Sequence, residues 1–388
     1  MKLVYLDYNS TTPIDPAVLA EMQAFSTETF GNPSSVHWYG QKAKAAMENA
    51  REKIAAFLGA RPTEIYFTSG GTEADNLAVK GAAHAGRSRG KHIITSRIEH
   101  HAVLKTVQYL EKEGFEATYL GCDGAGVVSA AELKQALRPD TVVVSIMMAN
   151  NETGVIQPVR ELAAVCRGAG TPFHTDAVQA IGKIPVTVDE LGVDMLSLSA
   201  HKFCGPKGIG ALYIRRKTTV TPLLHGGSHE RRKRPGTENV VGIIGMAKAM
   251  EIAVQRRDNE HRRLSELSDY FVREVTSRIG EVYLNGSPGN RIPSTVNLSF
   301  RGVEGESIIL SLDLKGIAVS SGSACTSGSL EPSHVLQAMG VDPILAQGSI
   351  RFSMGRFTTR EEIDYTVAAL PEIITRLRSM SAVYGKSG

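Results

Sequence analysis

The sequence predicts an α/β chain built on a doubly wound, mainly parallel sheet, followed by a smaller α+β unit. Between about residues 16 and 260, short apolar runs alternate with helical patterns, the order expected of βα units laid side by side in one sheet. One run, Val142-Val-Val-Ser-Ile-Met-Met148, is apolar on both faces, as a central parallel strand covered by helices on each side must be. At 388 residues the chain is also too long for one ordinary small core, so two domains are expected.

Strands are predicted at Ile65 to Thr68, His92 to Thr95, Thr141 to Met147, Thr171 to Thr175, Asp194 to Ser199 and Ala211 to Ile214. Helices are predicted between them, among them Val36 to Leu58 and Glu73 to Ala85. An amphipathic stretch from Met246 to Ile279 links this unit to the next. There, Ser294 to Phe300 and Ala318 to Ser320 are strand-like and Thr359 to Met380 is helix-like. The boundaries read as a large domain over 16–260 and a small domain made of 1–15 with 261–388, although the first fifteen residues follow neither pattern clearly. No internal repeat is present. The stretch Ser320-Ser-Gly-Ser-Ala-Cys-Thr-Ser-Gly-Ser329 sets one thiol among six hydroxyl residues, a composition that predicts a mobile loop.

Composition excludes several classes. Hydrophobic residues make up 42% and charged residues 21%, the balance of a globular chain. Lys and Arg exceed Asp and Glu by 43 to 40, too little for a nucleic-acid binder. No apolar run reaches the ~18 residues of a membrane helix, and Asp7 falls where a signal peptide would be apolar. A cytoplasmic protein without membrane association is expected. Cysteines at 122, 166, 204 and 325 include no CxxC pair, so neither a disulfide framework nor a zinc site is indicated.

Four constellations fall beyond predicted strand ends, where ligands sit in open α/β sheets. Thr68-Ser-Gly-Gly-Thr-Glu73 opens a helix; its glycines and helix-start amides suit a phosphate, and an ordinary cap at Thr72 fits equally well. Asp176 in His174-Thr-Asp-Ala-Val-Gln179 is either a helix cap or an acid facing a cation such as a pyridinium nitrogen. Lys202 in Ser199-Ala-His-Lys202 precedes a Gly-Pro turn; a partly desolvated lysine there can form an imine, although most lysines are solvated surface. Cys325 has no core to fill in its Ser/Gly loop, which favours a reactive thiol over a packing one.

These residues, in this order, resemble the NifS/IscS-type (group I) cysteine desulfurases of the class-V aminotransferase family, which are fold-type I pyridoxal 5'-phosphate (PLP) enzymes. The likeness runs nearly end to end. It includes Tyr5-Leu-Asp-Tyr-Asn-Ser-Thr-Thr-Pro13, Gly31-Asn-Pro-Ser-Ser-Val-His37, Glu99-His-His-Ala102, Asn150-Asn-Glu-Thr-Gly154, Arg234-Pro-Gly-Thr-Glu-Asn239, Ser321-Gly-Ser-Ala-Cys-Thr326 and Arg351-Phe-Ser353, besides the motifs above. The Cys325 motif is the most specific, because it separates this group from the selenocysteine-lyase-like desulfurases.

The resemblance implies that L-cysteine becomes L-alanine while its sulfur passes to Cys325 as a persulfide, and then to an acceptor for iron–sulfur cluster assembly. Lys202 is implied as the imine-forming lysine and Cα base, Asp176 as the partner of the ring nitrogen and Gln179 of the ring hydroxyl. His100 is implied to stack on the ring and shuttle protons. Gly71, Thr72, Ser199 and His201 are implied to hold the phosphate, with Thr237 reaching in from the neighbouring subunit of a homodimer. Arg351, helped by Asn151, is implied to clamp the substrate carboxylate. An iron–sulfur scaffold protein is the implied acceptor, and Cys325 the only implied metal contact, as a transient cluster ligand shared with that scaffold.

The sequence departs from the family at Ser10, where alanine is usual, and at Cys204, read as inert packing with a second sulfur-handling role as the alternative. Arg231-Arg-Lys-Arg234 is read as a solvated face with a local role beside Thr237, or a dock for an acidic partner, His101 as packing, and Trp38, the single tryptophan, as packing or a helix-start contact near the site. Two other functions compete. A small-substrate aminotransferase would survive Cys325→Ala, and a non-enzymatic sulfur carrier would be colourless and indifferent to borohydride.

Overall fold

In the computed structural model, residues 2–321 and 332–381 are described. The chain opens with a short strand, β1 (Val4–Tyr5), then crosses to a sheet of seven strands. These are β2 (Ile65–Thr68), β3 (His92–Ser96), β4 (Glu116–Leu120), β5 (Thr141–Ser145), β6 (Phe173–Asp176), β7 (Met195–Ser199) and β8 (Gly210–Ile214). Their spatial order is β2-β8-β7-β6-β5-β3-β4. Only β8 runs against the rest, pairing antiparallel with both β2 and β7, so six strands point their carboxyl ends the same way. The sheet is mainly parallel, as the apolar runs require.

The unanticipated member is β4. Its Glu-Ala-Thr-Tyr stretch is only partly buried, because an edge strand pairs on one side only and need not be apolar throughout. Both faces of the sheet are covered. On one, α2 (Trp38–Leu58) and α8 (Val240–Arg278), with α1 (Pro16–Thr27), join a core holding Ile54, Leu58, Leu196, Leu198, Ile243 and Met246. On the other, α3 (Gly71–Gly86) and α4 (His101–Lys112) cover Ile93, Val143 and Leu212. Helices α5 (Ala130–Ala136), α6 (Val159–Gly168) and α7 (Val188–Leu191) complete the wound connections.

α8 is 39 residues long, about 58 Å at 1.5 Å per residue. It starts earlier than its amphipathic pattern suggests, because Asn239 caps it through the Gly242 amide at 3.0 Å. Its first half packs in the large core and its second half, through Phe271 and Val275, in a separate one. That second core is built on β9 (Val282–Leu284), β10 (Thr295–Phe300) and β12 (Ser349–Ser353), in the order β12-β10-β9, with α9 (Gly305–Asp313) and α12 (Arg360–Met380) over it. β1 pairs in parallel with β11 (Ile317–Ala318), so Val4 and Leu6 belong to this core too. The short helices α10 (His334–Ala338) and α11 (Pro343–Gln347) put Val335, Leu336 and Ala346 into the large core instead. β12 escapes a strand reading because Ser-Ile-Arg-Phe-Ser carries an arginine, and yet all five residues are buried.

Trp38 does not pack. It stands 62% exposed at the start of α2, against the edge of Tyr39 and beneath Lys42. The Arg231–Arg234 run does have local partners: Arg231 donates to the Ile65 carbonyl and Arg234 pairs with Glu73 at 2.8 Å. Residues 230 to 232 all have positive φ, 45°, 52° and 66°, a costly backbone for non-glycine residues. The buried Glu230 carboxylate holds the turn. It accepts from Arg51 at 2.7 and 2.9 Å and from the Phe67 amide at 2.8 Å. Removing one partner of a buried ion pair leaves the other charge uncompensated, at a cost of about 3–5 kcal/mol. Arg51→Met is expected to lower unfolding free energy by about that amount in urea titration, with Phe67 and β2 losing amide protection first.

Candidate active site

A cavity of about 270 Å³ opens at the carboxyl edge of the sheet. The ends of β2, β3, β5, β6 and β7 deliver Gly71 and Thr72, His100, Asn151, Asp176 and Gln179, and Ser199, His201 and Lys202 to its wall. Arg351 enters from β12 in the second core, so the cavity lies between the two. Asn9, Ser10, Asp75, Met147, Ala149 and Val178 complete the lining. Thr237 is exposed and lines no part of this chain's cavity. Cys325 lies outside the described residues.

Thr72 is not the cap of α3. The helix begins at Gly71, with Gly70 as a cap that offers no side chain, so the first-turn amides face the cavity without a side-chain acceptor. A Cβ on Gly71 would come within 2.8 Å of Val178 Cγ2, and only glycine lets this backbone approach so closely. Ser199 ends β7 and the chain then tightens into a 3-10 turn over Ala200–Lys202. Thr12 fastens that turn: its hydroxyl donates to the His201 carbonyl at 2.8 Å and accepts from the Cys204 amide at 2.9 Å. Lys202 Nζ donates to the carbonyls of Asn9, at 2.6 Å, and Ser10, at 2.8 Å. Cys204 is buried at a φ of 63°, and burial pushes its thiol pKa up, which suits packing rather than sulfur chemistry.

Asp176 is 6% exposed. Its Oδ1 accepts from the Val178 amide at 2.8 Å, so it serves as a local cap and still faces the cavity. Burial pushes its carboxyl up to about 6, with the Val178 amide and Lys202 pulling it back. Deeper still, burial and the nearby Asp176 hold Asp75 well above the carboxylate range, and burial lifts Glu99 to about 8. The histidines go the other way. Burial, then Lys202, lowers His100 and His201 to about 4, and burial takes His174 to about 3. His174 is structural, bonded to Ser145 at 2.8 Å and Ser197 at 2.9 Å. His100 caps α4 by accepting the Ala102 amide at Nδ1, 3.1 Å away, so the neutral ring carries its proton on Nε2.

Sequence reasoning missed three supports. Asn9 is 2% exposed and joins Lys202, Gln179 and Asn151. Lys183 donates to Gln179 Oε1 at 2.8 Å and Asn9 Oδ1 at 3.2 Å, and burial lowers its pKa to about 7. Asp75 lies one helical turn beyond Thr72 on α3. Asn9 stood within a quoted motif, whereas Lys183 and Asp75 carry no local signal.

A mainly parallel sheet, a lysine after one strand, an acid at the end of the next and a phosphate-type helix start define a fold-type I PLP enzyme. The chain belongs to the class-V aminotransferase family, whose pattern matches residues 4–366. A cysteine desulfurase IscS of Dictyoglomus turgidum is 58% identical over 97% of this chain and 96% of its own length. One from Methanosarcina thermophila is 51% identical over 99% and 95%. Among solved structures, a NifS-like protein superposes with a TM-score of 0.92 at 43% identity, covering 97% of this chain and all of that one. SspA in complex with cysteine gives 0.82 at 36%, covering 92% and 100%.

PLP is the family's cofactor, and the residues fit it. A protonated ring nitrogen would supply the cation that the buried Asp176 needs. The open amides of α3, Ser199 and His201 would hold the phosphate, and Lys202 stands in position for the imine.

Glu99 makes one consequence measurable. Its carboxyl holds a proton up to about 8 in the fold, against an ordinary 4.5. The folded chain therefore binds more protons than the unfolded one in that window, and stability falls as pH rises through it. At fixed cofactor content, the Tm advantage of the unsubstituted chain over Glu99→Gln is expected to shrink from about pH 5 to pH 8.

Proposed function

We propose that this chain is a PLP-dependent cysteine desulfurase that turns L-cysteine into L-alanine and keeps the sulfur as a persulfide on Cys325. The observation that carries this reading is 58% identity, across 97% of the chain, to a protein named as a cysteine desulfurase. A cavity holding Lys202, Asp176 and Arg351 together supports it.

When bound, PLP supplies an electron sink for the charge left at Cα. The chain's own residues do the rest. Arg351 clamps the substrate carboxylate and Asn151 supports it, Asn151 O accepting from Arg351 Nη1 at 3.0 Å. Asp176 keeps the ring nitrogen protonated, and Gln179, its amide oriented by Lys183 and Asn9, meets the ring hydroxyl. Lys202 removes the Cα proton. The thiolate of Cys325 then attacks the substrate sulfur; the new S–S bond forms as the C–S bond breaks, and reprotonation gives alanine. Only the thiolate attacks, so its proton must leave first. His100 receives it at Nδ1, releasing the Ala102 amide. The resulting imidazolium is disfavoured by burial and by Lys202, so the ring passes the proton on rather than storing it.

The chain acts as a homodimer, with Thr237 of each copy completing the other's phosphate site. An iron–sulfur scaffold protein takes the sulfur, with Cys325 as a transient ligand to the nascent cluster. The reaction belongs in the cytoplasm, where thiols stay reduced, a reading supported by the free thiols of Cys122, Cys166 and Cys204.

Incubation with L-cysteine is expected to add one sulfur atom to the peptide holding Cys325, with alanine in solution. Cys325→Ala should abolish sulfide release, and Lys202→Ala should reduce alanine formation by at least about 10²-fold. Undiminished desulfuration by Cys325→Ala would sink the reading.

A further inference from the structure

The guanidinium of Arg351, read above as the carboxylate clamp, is engaged by side chains of the chain itself. Arg351 Nη2 donates to Asp7 Oδ1 at 2.8 Å and to Ser10 Oγ at 2.7 Å. Ser10 Oγ in turn donates to Asp7 Oδ1 at 2.8 Å. The three groups close a ring, with side chains only 4% exposed for Arg351 and 19% for Asp7. Local structure presets it. The Ser10 amide donates to the Asp7 carbonyl at 3.0 Å, making a tight turn, and Tyr5 OH shares its one hydrogen between the Asp7 and Thr11 carbonyls, at 3.0 and 2.9 Å. Asp7 lies beside β12, bridged to Ser353, so the carboxylate and the guanidinium are held on neighbouring strands.

Which nitrogen is engaged matters. A guanidinium can grip a carboxylate bidentately in two ways, side-on through Nε and Nη2 or end-on through Nη1 and Nη2. Nη2 belongs to both forks, and its two hydrogens are the ones taken by Asp7 and Ser10. Nε is buried without a hydrogen-bond partner among the described residues, and Nη1 has given one hydrogen to Asn151 O. Each fork is therefore half open and half closed. Bidentate capture of an incoming carboxylate requires Nη2 to give up one of its two partners.

We propose that Asp7 and Ser10 form a latch on Arg351 that the substrate carboxylate must displace, which makes this pair an affinity- and specificity-setting element of the site. The proposal rests on the reading of Arg351 as the carboxylate clamp. Asp7 neutralises the buried guanidinium until a carboxylate takes its place. A ligand without a carboxylate has nothing to exchange for Asp7 and leaves the latch closed. The carboxylate product meets the same competitor, so the latch also favours its departure.

The test is calorimetric titration of the PLP-loaded enzyme with L-alanine and with L-alaninamide, which keeps the amine and replaces the carboxylate by a neutral amide. Asp7→Asn retains the acceptor oxygen and removes the competing charge. It is expected to bind L-alanine about tenfold more tightly, the scale of one charge-assisted hydrogen bond, with alaninamide unchanged. Ser10→Ala, which releases one Nη2 hydrogen, should shift alanine in the same direction by a smaller factor. Unchanged or weaker alanine binding in Asp7→Asn overturns the latch, because a residue that merely orients Arg351 would behave that way. If Asp7→Asn does not fold, Ser10→Ala decides on the same criterion. Equal affinity for the two ligands in the unsubstituted enzyme would remove Arg351 as the carboxylate site and the latch with it. Persulfide on Cys325 is measured in the same preparation: its presence alongside unchanged affinities refutes the latch and leaves the desulfurase reading intact.

Discussion

A single buried asparagine ties the two cores together at the active site. Asn9 sits on the N-terminal segment that belongs to the small core, and every polar atom it owns is used. Its carbonyl accepts from Lys202 and Gln179, its Oδ1 from Lys183, and its Nδ2 donates to Asn151 O at 3.1 Å and Thr295 Oγ1 at 2.8 Å. Its own amide donates to Ser353 Oγ at 3.0 Å. A fully satisfied buried polar group is stable only in one arrangement. Strand ends of the large sheet and strands β10 and β12 of the small one are thereby held in fixed relation, and Arg351 reaches the same cavity as Lys202.

Around that hub the charges are stratified. Asp75, Glu99 and Asp176 have their pKa values raised by burial; burial keeps His100, His174 and His201 neutral; Lys202 and Arg351 bring positive charge to the cavity wall. A low-dielectric floor with an acid that gains by meeting a cation is what a protonated ring nitrogen requires. The uncapped start of α3 offers the opposite polarity for a phosphate a short way off. The two ends of the cavity thus select a ligand with a cationic ring and an anionic tail.

Much of this was legible in the chain. Alternating apolar and helical segments gave the sheet, because a strand buried on both faces must be apolar throughout. The segments around Thr72, Asp176 and Lys202 followed from strand ends, since parallel strands deliver their carboxyl termini to one edge, and the remaining site residues came from the family resemblance. Legibility failed where burial and polarity conflict. β12 is buried and yet carries Arg351, because that arginine is paired with Asp7. β4 is an edge strand and so lacks an apolar signature. Trp38 looked like a core residue by type, but it stands at the surface on the first turn of α2, where Tyr39 and Lys42 give it partners.

The sequence by itself determined the fold class, the strand-end positions of Lys202, Asp176 and the Gly-Gly-Thr start of α3, and, through its motifs, the family, because these depend on periodicity and on contiguous segments. Only the tertiary structure decided what crosses between segments: that Gln179, Lys183 and Lys202 all meet on Asn9, that burial raises the pKa of Glu99 to about 8, and that Asp7 and Ser10 hold Arg351 from more than three hundred positions away. Such pairings depend on distance and dielectric, and neither is defined until the chain has closed on itself.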